Sequence, residues 1–164
     1  MIDIQFRLDV IASQYAARKS ELFTALAARM DELNLRLQQR IQTRKLSGHV
    51  LHQRSGKLKR SIEVILAKVR KSEGKITGGV RGAGGPAYYG RFHEFGTEDS
   101  YTILPVTKKA LRFMIGHRAV FAARVNHPPI AERSFMRSAQ EEMKDEFVKN
   151  MQQAVYQVFS ARPR

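Results

Sequence analysis

The sequence has no cysteine, few carboxylates and no long apolar run, with 15 acidic side chains set against 29 basic ones. Without cysteine there are no disulfides, no thiolate metal sites and no cysteine nucleophile, a pattern that fits a reducing compartment. No apolar stretch approaches the about 20 residues that a membrane helix requires, so no membrane partner is expected. The opening MIDIQFRLDV carries Asp3 and Asp9 where a secretory leader needs basic residues and an unbroken apolar core, so export is not expected either. The shortage of acid leaves a formal charge of +14, which points to a polyanionic partner or an acidic protein neighbour.

What is present is globular composition, 43% hydrophobic and 27% charged over 164 residues. That length suits one domain, 1–164, burying about two thirds of its unfolded surface. The charge is uneven: residues 1–61 carry 12 basic and 5 acidic side chains, 62–131 carry 11 and 5, and 132–164 carry 6 and 5.

From Leu8 to Arg44, Ile11, Tyr15, Leu22, Leu26, Met30, Leu33, Leu37 and Ile41 recur at helical spacings, so 1–48 is predicted to be a long helical segment stopping near Ser47 and Gly48. Arg18, Arg29, Arg36 and Arg40 fall in a stripe beside the apolar one, while Ala17, Ser20, Thr24, Asp31, Gln38 and Gln42 occupy the far face. A basic seam bordering an apolar seam is the edge expected of a protein or nucleic-acid contact, with arginine stems covering apolar surface. The plainer alternative is arginines that snorkel to water.

β-Branched residues gather at Ile62, Val64, Ile65 and Val69, Gly74 marks a turn, and Lys75 to Arg81 can return as the second strand of a hairpin. A second hairpin is expected from Leu111–Ile115 and Ala119–Val125 around Gly116 and His117. Residues 55–127 thus read as an antiparallel sheet of about four strands with a glycine-rich loop at 78–86. Residues 132–160 read as a C-terminal helix whose stripe includes Met136, Ala139, Met143 and Phe147. The fold class predicted is α+β.

No catalytic constellation stands out. His93 and Glu94 resemble the start of a zinc-protease helix, but the second histidine would fall at position 97, which is Thr97. His49 and His52 lack a nearby carboxylate, and GAGGPA at 82–87 is followed by no helix long enough to hold a pyrophosphate. Glu141, Glu142, Asp145 and Glu146 alternate with basic residues as a solvated face does. No enzyme activity, cofactor or metal is expected.

The densest stretch is YYGRFHEFGT, Tyr88 to Thr97. Pro86 can open a short helix and Gly96 close it, which puts Tyr88, Phe92 and Phe95 on one face. They are expected to anchor that helix, leaving His93 and Glu94 as rim residues for contact with neighbours.

Several words in this chain, taken in order, resemble the small tail-completion and minor tail components of long-tailed double-stranded DNA bacteriophages and prophages. They are SGKLKRSI (55–62), the aromatic stretch ending in EFGT, Ile103 with Pro105, KALRF (109–113), VNHPP (125–129) and SFMRSA (134–139), in which Phe135 is a further structural anchor. Pro129 and Ser134 depart from the glycine and proline common at those places. The resemblance implies a non-enzymatic virion protein at the head–tail joint or the adjacent end of the tail tube. Such proteins form rings, commonly hexamers, around the genome channel, and they contact head–tail connector, tail terminator or tail tube proteins. The chain would reside in the host cytoplasm before assembly and in the virion after it. On that view Arg18, Arg29, Arg36, Arg40, His93 and Glu94 belong to subunit or partner interfaces. The other reading is a basic nucleic-acid-binding protein of phage or prophage origin, with the same arginines plus Lys57, Lys59 and Arg60 neutralising phosphates.

Overall fold

Apolar residues three and four apart wind the first segment into α1, Ile2–Arg40. A computed structural model describes residues 2–48, 50–51, 55–82 and 84–161, with residues 2–15 and residue 86 described by backbone alone. After Arg40 the helix widens into a π-helical turn, Ile41–Lys45, closed where the Leu46 N–H donates to the Ile41 carbonyl at 3.0 Å. The turn at 46–48 coincides with the stop expected at Ser47 and Gly48.

A one-turn helix, α2 (Lys57–Arg60), leads into β1 (Glu63–Arg70), which pairs antiparallel with β2 (Lys75–Arg81). Val64 lies opposite Val80 and Val69 opposite Ile76, with a register shift between Ile65 and Lys68. Such a bulge takes a backbone N–H out of the ladder. Here the Ala67 N–H donates to the Asp31 carboxylate of α1 at 2.6 Å. Gln38 and Gln42 likewise donate to the Ile62 and Lys59 carbonyls, at 2.7 and 3.1 Å. The polar face of α1 therefore supplies hydrogen bonds to the entrance and bulge of the first hairpin, where the helical wheel alone reads a far face turned to water.

A short 3₁₀ turn, Gly85–Ala87, precedes α3 (Gly90–Phe95), which Gly96 ends. Next come β3 (Tyr101–Ile103), β4 (Leu111–Ile115), β5 (Arg118–Ala122) and β6 (Val125–His127). The last element is α4, Phe135–Ser160. The α+β class and both hairpins are as expected, but the strands do not join into one sheet of about four. Among the described residues they form three two-stranded ribbons, β1–β2, β3–β6 and β4–β5. The reason is local: β3 pairs with β6 across the base of the second hairpin, and α3 with its flanking turns intervenes before the first.

α4 lies along α1, and the core forms where both meet the segment around α2. Phe135 and Ala139 pack with Ile41, Leu46, Leu58, Ile62 and Ala87, and Phe135, Ile41 and Ile62 are essentially inaccessible. Each such large side chain contributes about 1.5–3 kcal/mol by burial. The total accessible surface is 12780 Å². A compact chain of 18.7 kDa would expose about 8,300 Å² and bury about two thirds of its unfolded area, whereas this one buries about half.

Candidate functional site

The stretch singled out for its aromatics proves to be a bracket, and its polar residue holds it together. The Glu94 carboxylate is 6% exposed and accepts hydrogen bonds from the backbone N–H groups of Met136 and Arg137, both at 2.8 Å. These are orphan donors in the first turn of α4, and a carboxylate satisfies them while complementing the helix dipole. Ser134, the residue at the N-cap, accepts a hydrogen bond on its hydroxyl from the Arg137 guanidinium at 3.0 Å and caps no backbone N–H, and it lies at φ 40°, a conformation that a proline ring cannot adopt. The cap therefore comes from a residue distant in sequence, and Glu94 is an interior residue, correcting its assignment to the rim.

Around it the two segments are joined by backbone. The Arg133 N–H donates to the His93 carbonyl at 2.8 Å, the Thr97 N–H to the Ile130 carbonyl at 2.9 Å, and the Ile130 N–H to Thr97 Oγ1 at 2.8 Å. Gly96, at φ 71°, makes this approach feasible, because a Cβ there would lie 2.9 Å from both Glu132 N and Ile130 O. HEFGT and the run from Ile130 to Arg137 thus form one structural unit.

The aromatic residues take different roles from those expected. Tyr88 is 64% and Phe95 69% exposed, so neither anchors α3 to the core, while Phe92 is half-buried. A three-turn wheel overstates what a six-residue helix presents to its neighbours: Phe95 ends up beneath the Arg137 guanidinium at 5.9 Å, and Tyr88 meets the edge of Phe92 at 6.4 Å. Phe135 is inaccessible in the core, and Gly96 stands at the C-cap of α3. His93 is half-buried against the Tyr89 ring, and its Nδ1 is buried without a hydrogen-bond partner. Burial, helped by the Arg133 charge, pulls its pKa below the usual 6.5.

The arginine seam is likewise committed within the chain. Arg36 bridges Glu32 at 2.5 Å and Glu146 of α4 at 3.0 Å, while Arg40 and Lys45 converge on Glu142 at 3.1 and 2.5 Å. Arg29 pairs with Glu32 at 2.7 Å. The Lys45 and Arg40 bonds hold the Glu142 carboxyl below its usual 4.5. Arg36 and Arg40 therefore clamp α1 to α4 instead of facing a neighbour, and the acids Glu142 and Glu146 do not form a simple solvated face. Arg18 stays half-buried on α1. Arg36 and Arg40 on one helix and Glu142 and Glu146 on the other each stand four apart, a matching spacing that only the packing of α1 against α4 turns into ion pairs.

No group of three or more metal-ligating side chains gathers among the described residues. Thr97 Oγ1 is occupied by Ile130, and the His49–His52 pair lies outside the described residues. Gly84 and Gly85 lead only into the three-residue 3₁₀ turn, which offers no helix end for a pyrophosphate.

Two surfaces outside these contacts stand out among the described residues. One is a basic recess of about 670 Å³ beside α2, where Lys57 and Arg60 stand near the Glu63–Arg81 ion pair. The other is the β4–β5 hairpin with the loop before it. Val106 is 96%, Phe121 66%, Ile115 63%, Leu104 60% and Met114 56% exposed. The overlooked signal was the absence of acid: no aspartate or glutamate occurs between Asp99 and Glu132, whereas Lys108, Lys109, Arg112, Arg118 and Arg124 all do. Comparison with family models, with characterised proteins and with solved structures finds no match to this chain.

Proposed function

We propose that this chain is a structural subunit of a long-tailed double-stranded DNA phage or prophage virion, a tail-completion or minor tail component at the head–tail interface that assembles as a ring around the DNA channel. The observation that carries this reading is unfinished burial. An accessible surface of 12780 Å², against about 8,300 Å² for a compact chain of this mass, is the excess expected of a subunit completed by its neighbours and supports the reading. The bracket supports it as well, since it ties two words of the resemblance, EFGT and SFMRSA, into one hydrogen-bonded unit. The test is electron microscopy of a lysate in which this gene carries a stop codon in its parent phage or induced prophage. Filled heads beside unjoined or aberrant tails are the expected result; normal infectious virions would overturn the proposal.

The nucleic-acid reading retains one observation in its favour, the basic recess with Lys57 and Arg60, and loses the contribution of Arg36 and Arg40 to their ion pairs with α4. A filter-binding titration at two salt concentrations separates the two. Tight binding of DNA at physiological salt, falling steeply as salt rises, favours the second reading.

A further inference from the structure

Among the described residues the β4–β5 hairpin pairs with no third strand. Its substantial packing is between its own two strands, and a two-stranded hairpin alone is marginally stable in water. Cross-strand register puts Arg112 opposite Phe121 and Met114 opposite Ala119, so these four share one face, and all are exposed. The opposite face, with Leu111, Phe113 and Val120, is also apolar and only half-buried. Such an arm, apolar on both faces and unpaired at its edges, requires covering.

The same molecule carries a groove of matching character. Between β2 and α4, over α1, lies a cleft of about 510 Å³ lined by Leu37, Ile41, Val80, Met143, Phe147 and Val148. Asn34 also lines it; that side chain is 3% exposed, and among the described residues its amide Nδ2 meets no acceptor. A buried donor of this kind costs stability until a carbonyl reaches it. Gly78 packs against α1, where a Cβ would lie 3.0 Å from Asn34 Nδ2 and 3.1 Å from Met30 Sδ, but Gly79 beside it has nothing within 4 Å of a Cβ, so another backbone can approach there. The α4 wall from Glu141 to Lys149 has four acids and two lysines; Glu142 and Glu146 are engaged by α1, and at the groove itself stand Glu141 and Lys144, an exposed pair at 3.3 Å that an incoming cation would have to share. The arm from Leu104 to Arg124 has five cations and no acid.

We propose that the β4–β5 hairpin of one copy of this chain seats in the β2–α4 groove of the next copy. Phe121 and Met114 enter among Met143, Phe147 and Val148, Arg112 meets Glu141, and a carbonyl of the incoming strand accepts from Asn34. The inference rests on the assembly reading above and adds which surfaces meet. Because arm and groove are different patches, passing the contact from one copy to the next is heterologous, and it closes into a ring where the rotation between copies closes.

The absence of native cysteine makes the test direct. Full-length Phe121→Cys and Val148→Cys variants are mixed and treated with a short bis-maleimide. The expected product is a covalent pair formed in the mixture and scarcely at all by either variant alone, while the double variant yields a ladder of multimers. Lack of a mixed product, a cross-link confined within single chains of the double variant, or equal pairing of Phe121→Cys with itself would each overturn the proposal. Phe121→Asp should weaken self-association at least about tenfold in sedimentation, with circular dichroism unchanged. Arg112→Glu and Glu141→Arg should each weaken it about two- to fivefold, and the double exchange should restore it. Aberrant tails in the stop-codon lysate with no mixed product would remove the hairpin and leave the assembly reading standing. Intact virions with a mixed product would do the reverse.

Discussion

The α1–α4 body and the β4–β5 hairpin place apolar residues in opposite circumstances. In the body, Phe135, Ile41 and Ile62 are inaccessible, bulge and helix-end donors find acceptors on distant elements, and cations on α1 meet carboxylates on α4. In the hairpin, Phe121, Met114 and Ile115 stand in water and five cations face no acid of their own segment. Hydrophobic content is similar to the eye in both. What differs is whether the chain supplies a second surface, so substitutions in the body should register in folding and those in the hairpin in association.

The largest effect on folding is expected at Phe135. Phe135→Ala leaves a cavity where Leu58, Ile62 and Ala139 converge and should cost about 3–5 kcal/mol, read as a large fall in Tm. Glu94→Ala comes next. Loss of a buried carboxylate that accepts from two helix N–H groups should cost about 1–2 kcal/mol, with Glu94→Gln intermediate, as urea unfolding would resolve. If Glu94→Ala unfolds normally, the bracket is not what joins α3 to α4. Arg40→Ala should cost less than about 1 kcal/mol, and the loss should shrink with added salt because the Glu142 pair is partly exposed.

Two titrations sharpen the body further. His93 has a folded pKa below 6.5, so the native state binds fewer protons than the unfolded chain in that window. Stability is full above pH 6.5 and falls as the pH drops toward the folded value, and His93→Gln should remove that part of the slope. Glu142 is also depressed, from 4.5, but its stabilising effect persists above that value and is lost as pH falls through its folded pKa, a small effect at an exposed site. The smallest folding effects are expected in the exposed aromatic and hairpin residues: Phe95→Ala and Phe121→Asp should leave the unfolding free energy within about 0.5 kcal/mol of the parent, as urea titration would show.

Periodicity and turn chemistry were sufficient for the elements themselves. Both long helices, both hairpins and the Gly96 stop follow from spacings within a few residues. The site was less legible, because its pairs connect residues distant in sequence. Glu94 reads as a surface acid on a short helix until α4 arrives with unsatisfied N–H groups. Arg36 and Arg40 read as an outward seam until Glu146 and Glu142 are laid beside them. Phe95 reads as an anchor because aromatic residues favour interiors, yet α3 is too short to bury all of its faces.

By itself the sequence determined the α+β class, the order of elements, the basic charge and the lack of cysteine chemistry, because these depend on composition and on contacts a few residues apart. Only the tertiary structure decided that the acid in the aromatic stretch is a helix cap, that the arginine seam closes inward and that the second hairpin is left uncovered. Those outcomes depend on which distant surfaces come within hydrogen-bonding or van der Waals range, and local spacing does not contain that information.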